Sequence, residues 1–288
     1  MTDVFRQTTS EEARSPPVGE LHTIVRGRLF LESPRWRDGA LWVADWGAHE
    51  ALKIGPGGAV EVVASTRSFP MCLEHLPDGR LIIVDSAARR LARVEPDGTL
   101  VTHADLSMLS ERRAIGNDIV VDGRGNIYVN DVNFDFPGGE PRPGWVALVT
   151  PEGQARRVAE DLMFPNGMVV TPDNRTLIVA ESYRRQLTAF EIAADGSLGE
   201  RRVWAGLDGP PDGICLDDDG CVWAAFVPDR SCMRIREGGE VTHVVETPRG
   251  ATLYIVGQDW RGPDALAELG ATGEVWAIEA PAAAAGWP

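Results

Sequence analysis

Short apolar runs broken at regular intervals by turn residues fill the chain from about Leu21 to Ile278. Each unit reads as an apolar strand, a tight turn, a second apolar strand ending in an acid or another polar residue, and then a third and a fourth strand. The turns are Arg37-Asp38-Gly39, Pro77-Asp78-Gly79, Gly123-Arg124-Gly125, Pro172-Asp173-Asn174 and Asp218-Asp219-Gly220, and their residues accept the positive φ of tight hairpins. The strands that follow begin at Leu41, Leu81, Ile127, Leu177 and Val222. A spacing near that of four-stranded propeller blades, about 40 to 50 residues, predicts an all-β propeller, because such a sheet cannot bury both of its faces alone. Five units are visible, and Ala251–Val256 with Gly273–Ile278 supply part of a sixth. Leu21–Leu29 is expected to close the ring by pairing with the last blade. Helical periodicity is confined to Ser107–Arg113 and Asp264–Leu269.

The segment 1–19 is polar, ends in Ser15-Pro16-Pro17 and is expected to be a flexible arm. Residues 20–280 would form the propeller and 281–288 a tail. Composition changes the picture through charge: a net charge of −15 and a pI near 4.8 disfavour phosphate backbones and anionic membrane surfaces, so neither nucleic acid nor membrane is expected as a partner. A hard cation is a better match. The cysteines Cys72, Cys215, Cys221 and Cys232 have no metal or redox spacing, which points to free thiols in a reducing compartment. With no apolar leader or spanning run, a cytoplasmic location is expected. No pattern fixes an oligomeric state.

The inner strands of a propeller line its central channel, so equivalent positions at their starts meet at one mouth of the axis. Counting back from each turn gives Met71, Asn117, Asn166 and Asp212 in the second to fifth units, and Glu32 in the first. Four of these five are oxygen donors. Any one Asn or Asp before a strand is readily explained as a turn cap, but several converging on an axis are costly to bury without a partner. A hard cation held by Glu32, Asn166 and Asp212 would satisfy them together.

The segments Glu32-Ser33-Pro34-Arg35-Trp36, Asn117-Asp118, Phe164-Pro165-Asn166-Gly167-Met168 and Pro211-Asp212-Gly213-Ile214-Cys215-Leu216-Asp217 resemble, in order and spacing, the senescence marker protein 30/gluconolactonase (regucalcin) family of six-bladed propellers. The resemblance implies one divalent ion on Glu32, Asn166 and Asp212, commonly calcium, with zinc, magnesium, manganese or iron in some members. It also implies a substrate-contacting role for Asn117 and ring opening of a sugar lactone or related cyclic ester. A bound cation polarises a carbonyl and acidifies water; Asp212 would then be ligand and general base, while Asp118 reads as structural.

The chain departs from the family twice. Many gluconolactonases carry Arg two residues before the substrate-contacting Asn, where this chain has Ile115, which favours a less polar lactone or ester. Between Glu246 and Thr252 the family usually has a further inner strand, whereas only Thr247-Pro248-Arg249-Gly250-Ala251 stands here, so the sixth blade is expected to lack its inner strand.

The five histidines have no ligand spacing, and no Gly-x-Ser-x-Gly elbow is present. Asp217-Asp218-Asp219-Gly220 reads as a hairpin, since an EF-hand register would put Cys215 at its first ligand position. Trp36, Trp46, Phe134, Phe136 and Trp260 are assigned mostly to packing between blades, and the loop 133–143 is a candidate lid or pocket wall. Three functions stand: a metal-dependent lactonase, the same metal site acting on another ester, phosphotriester or carbonyl, and a non-catalytic calcium-binding propeller.

Overall fold

In the computed structural model of the chain, residues 21–227, 229–246, 254–257 and 270–278 are described. After β1 (His22–Arg28), four consecutive antiparallel strands form each of five sheets. The first blade holds β2 (Leu31–Arg37), β3 (Ala40–Asp45), β4 (Glu50–Ile54) and β5 (Val60–Ser65), and the second holds β6 (Met71–His75), β7 (Leu81–Asp85), β8 (Arg90–Val94) and β9 (Leu100–Asp105). In the third are β10 (Ile119–Val121), β11 (Ile127–Asp131), β12 (Gly144–Val149) and β13 (Ala155–Leu162). The fourth comprises β14 (Pro165–Val170), β15 (Thr176–Glu181), β16 (Gln186–Ile192) and β17 (Leu198–Gly206), and the fifth β18 (Ile214–Leu216), β19 (Val222–Phe226), β20 (Ser231–Ile235) and β21 (Val241–Glu246). The chain is thus an all-β propeller. The inner strands β2, β6, β10, β14 and β18 lie side by side in sequence order.

The hairpins expected from the sequence set these registers. Gly79 and Gly125 take φ of +88° and +86°, which a side chain resists, and each closes the turn from an inner strand to the second strand. Nearly all of β7, β11 and β19 is buried, because both faces of a blade meet a neighbouring blade. The core is accordingly a series of interlayers: Leu73 and Ile83 pack with Ala44 and Ala51 between blades one and two, and Ile119, Val129 and Trp145 pack with Ile82 and Leu91 between blades two and three. Burying each of the leucine, isoleucine and valine side chains in these layers contributes about 1.5–3 kcal/mol.

The sixth blade differs from expectation. The remaining sheet has three described strands, ordered β1, β23 (Gly273–Ala277) and β22 (Tyr254–Gly257), so five four-stranded blades stand rather than six. β1 pairs antiparallel with β23, His22 opposite Ala277, and β22 lies against β2. Trp276 packs on Trp223 of the fifth blade and Val256 and Val275 pack with Leu41 and Val43 of the first, which sets this sheet between those two blades. The stretch where an inner strand was expected to be missing, the arm 1–19 and the tail 281–288 all lie outside the described residues. Ser107–Arg113 holds only a 3-10 turn at Ser107–Leu109, and Asp264–Leu269 is likewise outside them. Among the described residues no helix is long and apolar enough to cross a membrane.

Candidate active site

Glu32 and Asn166 sit where their inner strands bulge. The β2–β3 register slips between Glu32 and Arg35 and the β14–β15 register between Pro165 and Met168, and a bulge of this kind re-aims a side chain. Ser33 and Phe164 take left-handed φ of 55° and 57°. For a residue as bulky as Phe164 that conformation costs on the order of 1–3 kcal/mol, and the Ser182 N–H to Phe164 carbonyl bond of 3.1 Å helps to hold it. Asn117 and Asp212 stand just ahead of β10 and β18 in matching frames: Asn117 N–H donates to the Asn130 carbonyl at 2.8 Å, and Asp212 N–H to the Ala225 carbonyl at 2.8 Å.

The acids that end the second strands secure these starts. The Phe30 N–H donates to Asp45 at 3.0 Å, the Gly116 N–H to Asp131 at 2.8 Å and the Met163 N–H to Glu181 at 2.7 Å. In the second blade the Ser68 hydroxyl donates to Asp85. All four acids are at most 5% exposed, so each is a buried carboxylate satisfied by the loop leading into its blade. They are positioning residues that the sequence showed only as strand ends.

Glu32, Asn117, Asn166 and Asp212 are each half-buried and all line one cavity of about 310 Å³. It lies at the end of the ring where inner strands start and second strands finish. Met71, the fifth axial position, is fully buried and lies in the core between blades one and two. Glycine at 167 permits the approach of blades four and five: its N–H donates to the Asp212 carbonyl at 3.1 Å, and a Cβ there would stand 2.5 Å from the Ile214 nitrogen.

Negative charge accumulates at this end of the cavity. Burial holds the Glu32 carboxyl well above the usual carboxylate range, and the charges of Asp212 and Asp118 raise it further, against the Ser33 backbone N–H and Arg35. Burial likewise pushes Asp212 up to about 6, opposed by a hydrogen bond from Asn166 and reinforced by Asp118. The guanidinium that acts on Glu32 is already engaged: Arg35 pairs with Glu74 at 2.6 Å and with Asp118 at 3.2 Å. Asp118 also accepts the Met168 N–H at 3.1 Å, in keeping with a structural part. Two carboxylates and an amide oxygen, short of positive charge, fit a hard divalent cation. Among the described residues no three His, Cys, Asp or Glu side chains group at metal-binding separations, so such an ion would need the amide of Asn166.

Ile115 is fully buried in the layer between blades two and three and does not reach the cavity. Arg112, from the same segment, lines it instead and pairs with Asp131 at 2.7 Å. Sequence reading missed Arg112, because only the stacked blades bring it beside Asp131. Trp46, Phe134 and Phe136 also line the cavity, which makes the 133–143 loop part of its wall, while Trp46 packs between blades as expected, against the layers on both sides of the second blade. Trp36 is 53% exposed, and Trp260 lies outside the described residues. No histidine is among the lining residues.

Residues 30–261 match the SMP-30/Gluconolactonase/LRE-like region. A gluconolactonase of Zymomonas mobilis is 23% identical over 62% of this chain and 58% of its own length. A 6-deoxy-6-sulfogluconolactonase of Pseudomonas putida is 28% identical over 40% of this chain and 41% of its own, and a diisopropyl-fluorophosphatase of Loligo vulgaris is 27% identical over 49% and 50%. The chain therefore spans about half the length of the curated relatives it matches. Among solved structures, a gluconolactonase of Xanthomonas campestris superposes with a TM-score of 0.73 at 23% identity, over 95% of this chain and 94% of that one. A calcium-binding regucalcin of Agrobacterium tumefaciens gives 0.70 at 19%, over 89% and 93%. Both likenesses bear on the fold. The family match covers most of the chain, including the starts of all five inner strands, and the chain belongs to the SMP-30/gluconolactonase/LRE-like family.

Proposed function

We propose that the protein is a divalent-metal-dependent hydrolase that opens a lactone or related cyclic ester, with the three-stranded sheet serving as a reduced sixth blade. The observation that carries this reading is the convergence of Glu32, Asn117, Asn166 and Asp212, from four different blades, on one cavity short of positive charge. The names of the gluconolactonase and sulfogluconolactonase relatives support the reaction class, and the calcium-binding neighbour supports calcium ahead of zinc, magnesium, manganese or iron. Glu32, Asn166 and Asp212 would hold the ion, which when bound supplies electrophilic polarisation of the ester carbonyl and acidifies water.

The remaining work belongs to the chain. Asp212 takes the proton of the attacking water as general base, from its place in the cavity lining beside Asn166. The Asn166 side chain, hydrogen-bonded to Asp212, keeps that carboxylate oriented. Asn117 donates one amide hydrogen to the Pro165 carbonyl at 3.1 Å, which fixes its plane and leaves the second for a carbonyl or ring oxygen of the substrate.

The test joins metal analysis of the purified protein to a lactone screen. Asp212→Ala is expected to lower kcat/KM by at least about 100-fold and to weaken metal retention. Undiminished ring opening in excess chelator, or in Asp212→Ala, overturns the proposal. The relative named diisopropyl-fluorophosphatase favours a second reading in which the same residues act on phosphotriesters, and rates on both ester types separate the two.

A further inference from the structure

Two aromatic groups flank the polar end of the cavity. At the junction of blades one and two, Phe30 stacks on Trp46 with centroids 5.3 Å apart, and Phe69 meets Trp46 edge-on at 5.2 Å. At the junction of blades three and four, Phe136 meets Phe164 edge-on at 5.2 Å, and Phe134 stands 5.7 Å from Phe164. All six rings line the cavity. The indole N–H of Trp46 donates to the Met71 carbonyl at 2.5 Å, so that side chain offers the cavity only ring surface.

The other polar groups of the lining are largely taken by the protein itself. The Ser33 hydroxyl donates to the Leu73 carbonyl and accepts the Leu73 N–H, and the Ser182 hydroxyl donates to the Pro211 carbonyl. The Cys72 thiol donates to the Asn117 carbonyl. Asp131 accepts from Arg112, the Gly116 N–H and the Asn133 N–H. Beyond the four residues of the proposed site, Arg112 contributes one buried nitrogen, Nε, without a hydrogen-bond partner. A polyhydroxylated ring would press several hydroxyls against aromatic faces that return no hydrogen bond. With about 310 Å³, at the small end of the roughly 300–1,000 Å³ range of ligand pockets, there is room for one lactone ring and one compact apolar group.

We propose that the cavity selects a lactone or cyclic ester fused to or bearing an aromatic or compact alkyl group, the apolar part lying on the Phe134, Phe136 and Phe164 rings and on Trp46 and Phe69. This rests on the hydrolase reading above and narrows its substrate class. The step is hydrolysis: the oxygen of water bonds to the carbonyl carbon, the ring C–O bond breaks, and the departing alkoxide or phenoxide takes one proton of that water. The carboxylic acid formed releases its own proton at neutral pH.

The test uses the full chain with calcium or zinc, and compares dihydrocoumarin with glucono-δ-lactone. Dihydrocoumarin is expected to show a kcat/KM at least about tenfold higher. Phe136→Ala, at a side chain 40% exposed and outside the blades, is expected to lower the ratio of the two kcat/KM values about tenfold, chiefly through the KM for dihydrocoumarin, with an unaltered melting curve. Equal or greater efficiency on glucono-δ-lactone, or a ratio unmoved by Phe136→Ala, overturns the proposal. If neither lactone is opened, the hydrolase reading fails and calorimetry decides the pocket. Binding of 3,4-dihydro-2-quinolinone, a lactam that resists hydrolysis, weakened by Phe136→Ala, upholds an apolar-ring pocket; no binding, or tighter binding of gluconolactam, overturns it.

Discussion

His75, on β6, is 2% exposed, meets Trp42 edge-on at 4.7 Å and has no hydrogen-bond partner at either ring nitrogen. Burial leads in lowering its pKa to about 4, the charges of Arg37 and Arg35 add to this, and Asp38 opposes them; the Glu74 carboxylate stands 3.9 Å away. The unfolded chain binds this proton near pH 6.5 and the native protein only near 4, so the stability tied to neutral His75 is complete above pH 6.5 and lost as pH falls toward 4. The loss amounts to about 2–3 kcal/mol. Urea unfolding at pH 7 and at pH 4.5 should show His75→Phe losing less stability between the two than the unaltered protein; parallel losses would assign the acid sensitivity elsewhere. At this scale offset from a turn brought Asn117, Asn166 and Asp212, and with a shorter hairpin Glu32, to one cavity, whereas Met71 at the same offset lies in the core. The sequence was silent on Arg112, and Ile115 was legible only as an absence, since distance along the chain carries no information about which stacked blade a side chain will meet.

At the level of elements, the turn-then-strand grammar located five blades, because tight hairpins and period-two burial are both local properties. The bulges at Glu32 and Asn166 were not legible, since they depend on the partner strand's register. Nor was the approach of β14 to β18, which hinges on Gly167. In Gly167→Ala the added Cβ would stand 2.5 Å from the Ile214 nitrogen and 2.8 Å from the Asp212 carbonyl oxygen, both backbone atoms that cannot swing aside. The substitution should destabilise by about 1–3 kcal/mol and lower kcat/KM, since it moves Asp212 relative to Asn166. Gly199→Ala, on β17, is the control: its Cβ would meet Glu191 no closer than 3.5 Å, so its urea midpoint should barely change. Equal midpoints for the two variants would show that the blades can part at no cost.

Across the whole molecule, the sheet joining first and last strands is where expectation and structure diverge most, because its strands come from opposite ends of the chain and their count depends on the ring they close. Removing residues 1–28 takes away β1 and uncovers the apolar side of β23, including Val275, now packed with Val25. Thermal unfolding of that truncated protein is expected at a midpoint lower by 10 °C or more, against about 2–4 °C per kcal/mol for a chain of this size. A midpoint within 2 °C of the intact protein would mean that the pairing contributes almost nothing.

The position of that seam carries one further consequence. It falls between the fifth blade and the first, the two blades that present Asp212 and Glu32 to the cavity. A ligand held by both residues, as proposed, would span the gap that this sheet occupies, and occupancy and end-pairing would then be coupled, each strengthening the other to the same degree. Loosening the ends should cost the cavity affinity, and filling the cavity should tighten the ends.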